Sequence, residues 1–143
     1  MAIIGKTEAK ILELPKFLDL RGNLSFFENN SQIPFEIKRA YWIYDVPGGE
    51  MRGGHAYKSA DEFIVALSGS FDVVTNDGNS EKIFPLNRSY YGVFVPRMTW
   101  RELKNFSSAS LALVVSSAFF SEDDYIREFS GFLSAAKKSA EKK

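Results

Sequence analysis

Apolar and polar positions along this chain fall into short runs of strand type, separated by turn residues at near-regular intervals. Residues 9–14 and 24–28 are two such runs, parted by Asp19, Arg21, Gly22 and Asn23, which read as a polar corner. The next run, IKRAYWIYD at 37–45, is bounded by Pro34 on one side and by Pro47, Gly48 and Gly49 on the other. Residues 63–67 and 71–75 flank Gly69, and Asn76, Asp77, Gly78 and Asn79 join the second of them to 82–84. Asp-Gly between strand-type runs signals a hairpin. Residues 90–95 and 111–116 continue the β-branched and aromatic series. Many short strands with turns at this spacing predict an all-β sandwich or barrel rather than a βαβ fold.

The period changes at Ser121. Ser121 reads as an N-cap, Glu122, Asp123 and Asp124 suit the positive end of a helix dipole, and Tyr125, Ile126, Phe129, Phe132, Leu133 and Ala136 share one helical face. The spacing predicts a helix over about 121–138, running into a solvated tail with Lys137, Lys138, Lys142 and Lys143. A chain of 143 residues fits one domain by size. The barrel is expected over about 9–118.

Composition narrows the function. Basic and acidic side chains number 18 each, so the chain carries no electrostatic footprint for nucleic acid or an anionic membrane, and a phosphate would have to be bound locally. The lack of cysteine excludes disulfides, Fe–S clusters and thiolate catalysis, and fits a cytoplasmic protein. The N-terminus has no apolar run ahead of a cleavage site, and no segment reaches the ~18 apolar residues of a membrane span. A soluble, cytoplasmic protein is expected. The 13 Phe, 6 Tyr and 2 Trp are more than a small core usually takes and point to an interface as well.

The stretch 49–69, GEMRGGHAYKSADEFIVALSG, holds the only histidine. The spacing of Gly49, His55, Tyr57, Glu62 and Gly69 resembles the first signature of the cupin β-barrels, with Tyr57 where a metal-binding cupin carries a second histidine. Pro96, Met98, Arg101 and Asn105 follow the second signature, with Arg101 in place of the third metal histidine. A guanidinium has no lone pair to offer an ion. His55 and Glu62 alone cannot assemble the three or more ligands of a zinc or iron site. The resemblance implies a cupin (RmlC-like) jelly-roll β-barrel with a C-terminal α-helix, holding neither metal nor cofactor.

Four longer phrases then coincide: DLRGNL at 19–24, IPFEIKRAYWIYD at 33–45, RGGHAYK at 52–58 and DDYIREF at 123–129. Together they resemble the FdtA/QdtA-like (WxcM-like) sugar 3,4-ketoisomerases, over about residues 12–133. The resemblance implies a metal-free homodimer that converts dTDP-4-keto-6-deoxy-D-glucose to a dTDP-3-keto-6-deoxyhexose, for 3-amino-3,6-dideoxysugars of lipopolysaccharide or S-layer glycans. It also implies that His55, matching the family's first loop histidine, is the base. Tyr57 departs from the family's second histidine. Two other functions stay open: a 3,5-epimerase of the same 4-keto sugar, and a non-catalytic cupin that binds a nucleotide sugar.

The residue types suit this chemistry. Moving a ketone from C4 to C3 requires taking the C3 proton and returning one at C4, and an imidazole of ordinary pKa about 6.5 can do both near neutral pH. Tyr57 can donate to a developing oxyanion or serve as an acid; its alternative is packing. Tyr41, on the strand leading into the loop that carries His55, is a candidate donor to the sugar. Arg101 should point into the barrel, where a cation needs an anion, either a substrate oxygen or Glu62. Glu62 would orient a neighbour or react. Arg52 and Arg21 suit a diphosphate, or surface ion pairs. Asn23, like Arg101, falls at a family-variable position near the sugar. Gly53 and Gly54 read as loop geometry, since no phosphate-loop spacing surrounds them. The N-terminal strands are candidates for exchange with a second copy, which would cover a sheet edge.

Overall fold

The computed structural model describes residues 7–141. The MAIIGK start, and Lys142 and Lys143 of the lysine tail, lie outside the described residues. In chain order the strands are β1 (Lys10–Glu13), β2 (Lys16–Phe17), β3 (Leu24–Ser25), β4 (Arg39–Tyr44), β5 (Arg52–Tyr57) and β6 (Glu62–Ser68). They continue with β7 (Phe71–Asn76), β8 (Glu81–Leu86), β9 (Tyr91–Val95), β10 (Trp100–Lys104), β11 (Leu111–Ser116) and β12 (Tyr125–Ile126), before helix α1 (Phe129–Glu141). Two five-stranded antiparallel sheets, ordered β1-β9-β6-β11-β4 and β12-β5-β10-β7-β8, make the jelly roll of a cupin barrel. The β2–β3 hairpin stands apart as a two-stranded ribbon.

The interior between the sheets is filled by Ile64, Phe71, Val73, Leu86, Val93, Val95, Leu103 and Val114. A second cluster, Leu14, Ile33, Phe35, Phe63, Val65, Phe94 and Val115, covers the outer side of the first sheet. Strand β6 therefore buries both faces along EFIVA and reads as a continuous apolar run rather than an alternating one. Helix α1 does the same service for the second sheet: Phe132, fully buried, packs with Ala56 and Trp100.

The helix begins later than the spacing predicts. Ser121 precedes a single 3-10 turn, Glu122–Asp124, and makes no side-chain cap bond. Tyr125 and Ile126 then pair with Tyr57 and Ala56 as an added strand, and α1 starts only at Phe129. The free edge of β5 offers backbone hydrogen bonds that outcompete one more helical turn, because an unpaired edge group is the costlier choice. The run expected at 24–28 shortens to β3 for a similar reason: its partner β2 pairs only two residues, Lys16 with Ser25 and Phe17 with Leu24.

Candidate active site

The largest difference from the sequence reading decides the site: His55 sits on a strand and not in a loop. In the pairing of β5 with β10, Arg101 faces His55 and Leu103 faces Arg52, so β5 carries one extra residue. That bulge falls at Gly53 and Gly54, and Gly53 has a φ of 73°. A bulge of this kind re-aims the side chains that follow it. It turns His55 and, two residues on, Tyr57 into the barrel, while Ala56 faces α1. A Cβ on Gly53 would overlap Arg101 Nη1, so this close approach of backbone to guanidinium requires glycine.

Arg101 and Glu62 meet where the apolar interior ends. Arg101 Nε donates to Glu62 Oε1 at 2.9 Å, and Nη2 lies 2.7 Å from the same oxygen. Nη2 also donates to the Tyr41 hydroxyl at 2.7 Å, and Nη1 to the Gly53 carbonyl at 2.9 Å. The Tyr41 hydroxyl in turn donates to Glu62 Oε2 at 2.5 Å. Of the two anions open to Arg101, the structure provides Glu62, and protein oxygens engage all three guanidinium nitrogens. Glu62 thereby fixes the Arg101 guanidinium and the Tyr41 hydroxyl relative to each other. Burial, ahead of Glu62, pushes the Tyr41 phenol well above its ordinary range, so it stays a proton donor.

These residues do not fit a metal ion. Arg101 fills the position of one expected ligand with a fixed cation, both Glu62 oxygens are already engaged, and Tyr57 replaces a second imidazole. Among the described residues no three of His, Cys, Asp and Glu converge.

His55 lies beside this network with 9% of its surface exposed, and its Nε2 is buried without a hydrogen-bond partner. The Tyr57 ring stands edge-on at 4.8 Å and the Tyr125 ring at 5.0 Å. Burial first, then Arg101, Arg127 and Arg39, push the imidazole pKa down to about 2. The ring is neutral at any physiological pH and keeps a lone pair free for a proton. An unpartnered buried nitrogen is costly and is characteristic of a group that a ligand completes.

A cleft of about 530 Å³ opens over His55. Tyr41, Arg52, Tyr57 and Arg101 line it as the sequence reading expects, with Glu62 directly behind. Arg21 and Asn23 do not reach it within this chain. Arg21 is exposed and tied to Asp19 through Nε at 3.0 Å and Nη2 at 2.9 Å, and Asn23 lines a separate depression beside Arg88 and Tyr90.

Six lining residues were not singled out from the sequence: Arg39, Trp42, Ile43, Phe120, Tyr125 and Arg127. Arg39 donates to the Tyr57 hydroxyl at 3.4 Å, and that hydroxyl donates to Tyr125 at 3.3 Å. The Arg127 guanidinium stacks 4.1 Å over the Tyr125 ring. A signal for Arg39 was present, since the alternation of RAYWIY puts it on the same face as Tyr41. Tyr125 and Arg127 were hidden by the helical reading of their segment. Four arginines against two carboxylates, Glu62 on Arg101 and Glu122 on Arg127, leave the cleft positive, which suits a multiply charged anion.

The family described as FdtA: WxcM-like, C-terminal, matches residues 7–137. The chain belongs to this family. A family relative from Aneurinibacillus thermoaerophilus, TDP-4-oxo-6-deoxy-alpha-D-glucose-3,4-oxoisomerase, is 39% identical over 125 residues, covering 87% of this chain and 90% of the relative. A crystal structure of a 3,4-ketoisomerase from Helicobacter canadensis superposes with a TM-score of 0.88 at 40% identity, covering 92% and 99% of the two chains. QdtA of Thermoanaerobacterium thermosaccharolyticum, solved as a His-to-Asn mutant in complex with TDP-4-keto-6-deoxyglucose, superposes with a TM-score of 0.89 at 30% identity, covering 94% and 97%. Like these family members, the chain is an isomerase.

Proposed function

We propose that this chain is a 3,4-ketoisomerase of dTDP-4-keto-6-deoxy-D-glucose, with His55 carrying the proton between C3 and C4. The observation that carries the reading is His55 itself: the only histidine of the chain, neutral, with a buried unpartnered nitrogen, at the cleft's inner wall. Substrate binding supplies what the free site lacks. The diphosphate brings negative charge beside Arg39, Arg52 and Arg127, and that charge offsets the cations that depress the imidazole's basicity. His55 then takes the C3 proton, and Tyr57 donates toward the oxyanion that develops at O4, while Tyr41, whose proton is committed to Glu62, lines the sugar's side of the cleft. No metal or cofactor takes part; Arg101, fixed by Glu62, provides permanent positive charge where a metal-binding cupin would hold its ion.

The same reading takes the enzyme to be a homodimer. Phe17, Leu18, Leu20 and Leu24 on and beside the β2–β3 hairpin are exposed, Leu20 completely. Exchange of this hairpin between two copies would cover them, and it is the arrangement that could carry Arg21 and Asn23 toward a cleft they do not reach alone. Light scattering at micromolar concentration should give twice the chain mass, and a monomer would count against the exchange. The described helix is too short and polar to cross a membrane, in keeping with a cytoplasmic enzyme.

The deciding experiment is product analysis by NMR in deuterated water after incubation with dTDP-4-keto-6-deoxyglucose. The ketone should move to C3. A ketone left at C4 with label at C3 and C5 would make the protein a 3,5-epimerase, and an unchanged substrate despite tight TDP binding would make it a binding module. Trapping of the product as a 3-amino sugar by an added aminotransferase and amino donor would tie it to 3-amino-3,6-dideoxysugar synthesis.

A further inference from the structure

Tyr125 is a hydroxyl-bearing cleft residue with no role in the mechanism above, and its segment is held on several sides. Its strand pairs it directly with Tyr57, and the two hydroxyls lie 3.3 Å apart. Asp124 pins the segment to the 58–60 turn: its carboxylate accepts from Ser59 N and Oγ at 2.9 and 2.7 Å and from Ala60 N at 3.2 Å, and its carbonyl accepts from Lys58 N at 2.9 Å. Arg127 covers the outer face of the Tyr125 ring.

We propose that Tyr125 is a positioning residue for the isomerisation, acting through Tyr57 by stabilising the phenolate that Tyr57 becomes midway through the reaction. The inference rests on the ketoisomerase reading. Isomerisation moves two protons, one between carbons and one between oxygens. In the first half His55 takes the proton from C3, the C–H pair becomes the C3=C4 π bond, and the C4=O π pair moves to O4, which takes the Tyr57 hydroxyl proton. In the second half the Tyr57 phenolate takes the O3 proton, and the O–H pair becomes the C3=O π bond. The C3=C4 pair then takes the proton from the His55 imidazolium at C4. Both side chains return to their starting states, and no outside reactant is consumed.

Tyr57 is therefore ionised only between the halves, in a place where burial and then Glu62 oppose its charge. Arg39, 3.4 Å from the phenol oxygen, offsets part of that opposition. Arg101 lies 5.9 Å from the ring, with its donors committed elsewhere. The Tyr125 hydroxyl is the remaining donor within reach. In the resting site it accepts from Tyr57; once Tyr57 has given its proton away, the Tyr125 O–H can rotate and donate back. A phenylalanine would pack equally well and could do neither.

The test is a double-mutant cycle with Tyr57→Phe, Tyr125→Phe and the double variant, assayed on dTDP-4-keto-6-deoxyglucose alongside wild type. Tyr125→Phe should lower kcat about tenfold, the scale of one hydrogen bond to a charged group, with KM within about twofold and an unchanged melting temperature. The double variant should be no slower than Tyr57→Phe alone, because Tyr125 then has no phenolate to serve. Tyr125→His, which keeps a ring and a donor, should recover most of the lost rate, and Tyr125→Leu, which also lacks a donor, replaces Tyr125→Phe in the cycle if the latter does not fold. Losses that multiply in the double variant, a kcat within twofold of wild type, or a loss confined to KM would each overturn the proposal. A wild-type enzyme that leaves the ketone at C4 removes the ketoisomerase reading, and this inference with it.

Discussion

Arg101 Nη2 lies 2.7 Å from Glu62 Oε1, with 1% of each side chain exposed. Among the described residues no other ion pair is buried on both sides. Desolvating two charges is costly, and the pair is tolerable only because Tyr41 and the Gly53 carbonyl satisfy the remaining donors and acceptor. Removing one partner should therefore be worse than removing both. Arg101→Met and Glu62→Gln are each expected to lose about 3–5 kcal/mol in denaturant unfolding, and Arg101→Met with Glu62→Leu less than either. Additive losses would mean that the two charges are not coupled and that Arg101 is free for another partner.

Gly53 links that pair to the bulge. Gly53→Ala would force a left-handed residue, at about 1–2 kcal/mol, and would also push Arg101 Nη1 from its carbonyl partner. The variant should melt several degrees lower and lose far more activity than its stability loss accounts for, since the same backbone aims His55. Gly54→Ala is the control: a Cβ there meets its nearest atom, on Trp100, at an ordinary 3.6 Å, and both readouts should stay near wild type.

A single histidine makes its titration directly observable. With the folded pKa pushed down to about 2 and the unfolded value near 6.5, the unfolded chain binds a proton that the folded chain refuses throughout that interval. Stability thus rises with pH there. It is fully present above about 6.5 and falls as the pH drops, by up to about 1.4 kcal/mol per unit from this group. Nitrogen NMR of an untagged, histidine-labelled protein should show a neutral ring from pH 8 down to 5. Adding TDP, whose phosphates offset Arg39 and Arg127, should move the midpoint upward. A protonation step near 6.5 in the free protein would contradict the buried, cation-flanked site.

Much of this architecture was legible because side-chain pattern and backbone structure agreed. Strand β11 falls on the predicted 111–116, and β6, β7 and β9 within a residue or two of theirs. Two strands that build the site, β5 and β10, were not read from the pattern. RGGHAY is too rich in glycine and WRELK too charged to read as strands, because each spends its inward positions on chemistry: His55 and Tyr57 on β5, Arg101 on β10. The position of Arg101 was foreseeable from motif spacing, but its satisfaction by Glu62, Tyr41 and Gly53 was not, since that depends on four segments meeting. Tyr125 was lost for a third reason. Its helical spacing with Phe129 and Phe132 is real, yet pairing with the β5 edge holds it in a strand.

His55→Asn separates chemistry from binding. The amide fills similar space, carries no charge in a site that already refuses one, and leaves the Arg39, Arg52 and Arg127 surroundings intact. The fold and the affinity for TDP should therefore match wild type, by melting temperature and calorimetry. Turnover should collapse, because no second histidine can take over. General acid–base groups commonly contribute ~10² to 10⁴-fold, and a residue used in both half-reactions belongs at the upper end. Exchange of the substrate's C3 proton with solvent should vanish together with product formation, since both begin with the same proton transfer. In Tyr57→Phe, by contrast, the C3 exchange should survive better than product formation, because the imidazole still reaches carbon while the oxygen-bound proton has lost its carrier. If His55→Asn keeps more than about a tenth of wild-type kcat/KM, a change worth under ~1.4 kcal/mol of transition-state stabilisation, the imidazole is not the carrier and the base must be sought elsewhere in the cleft.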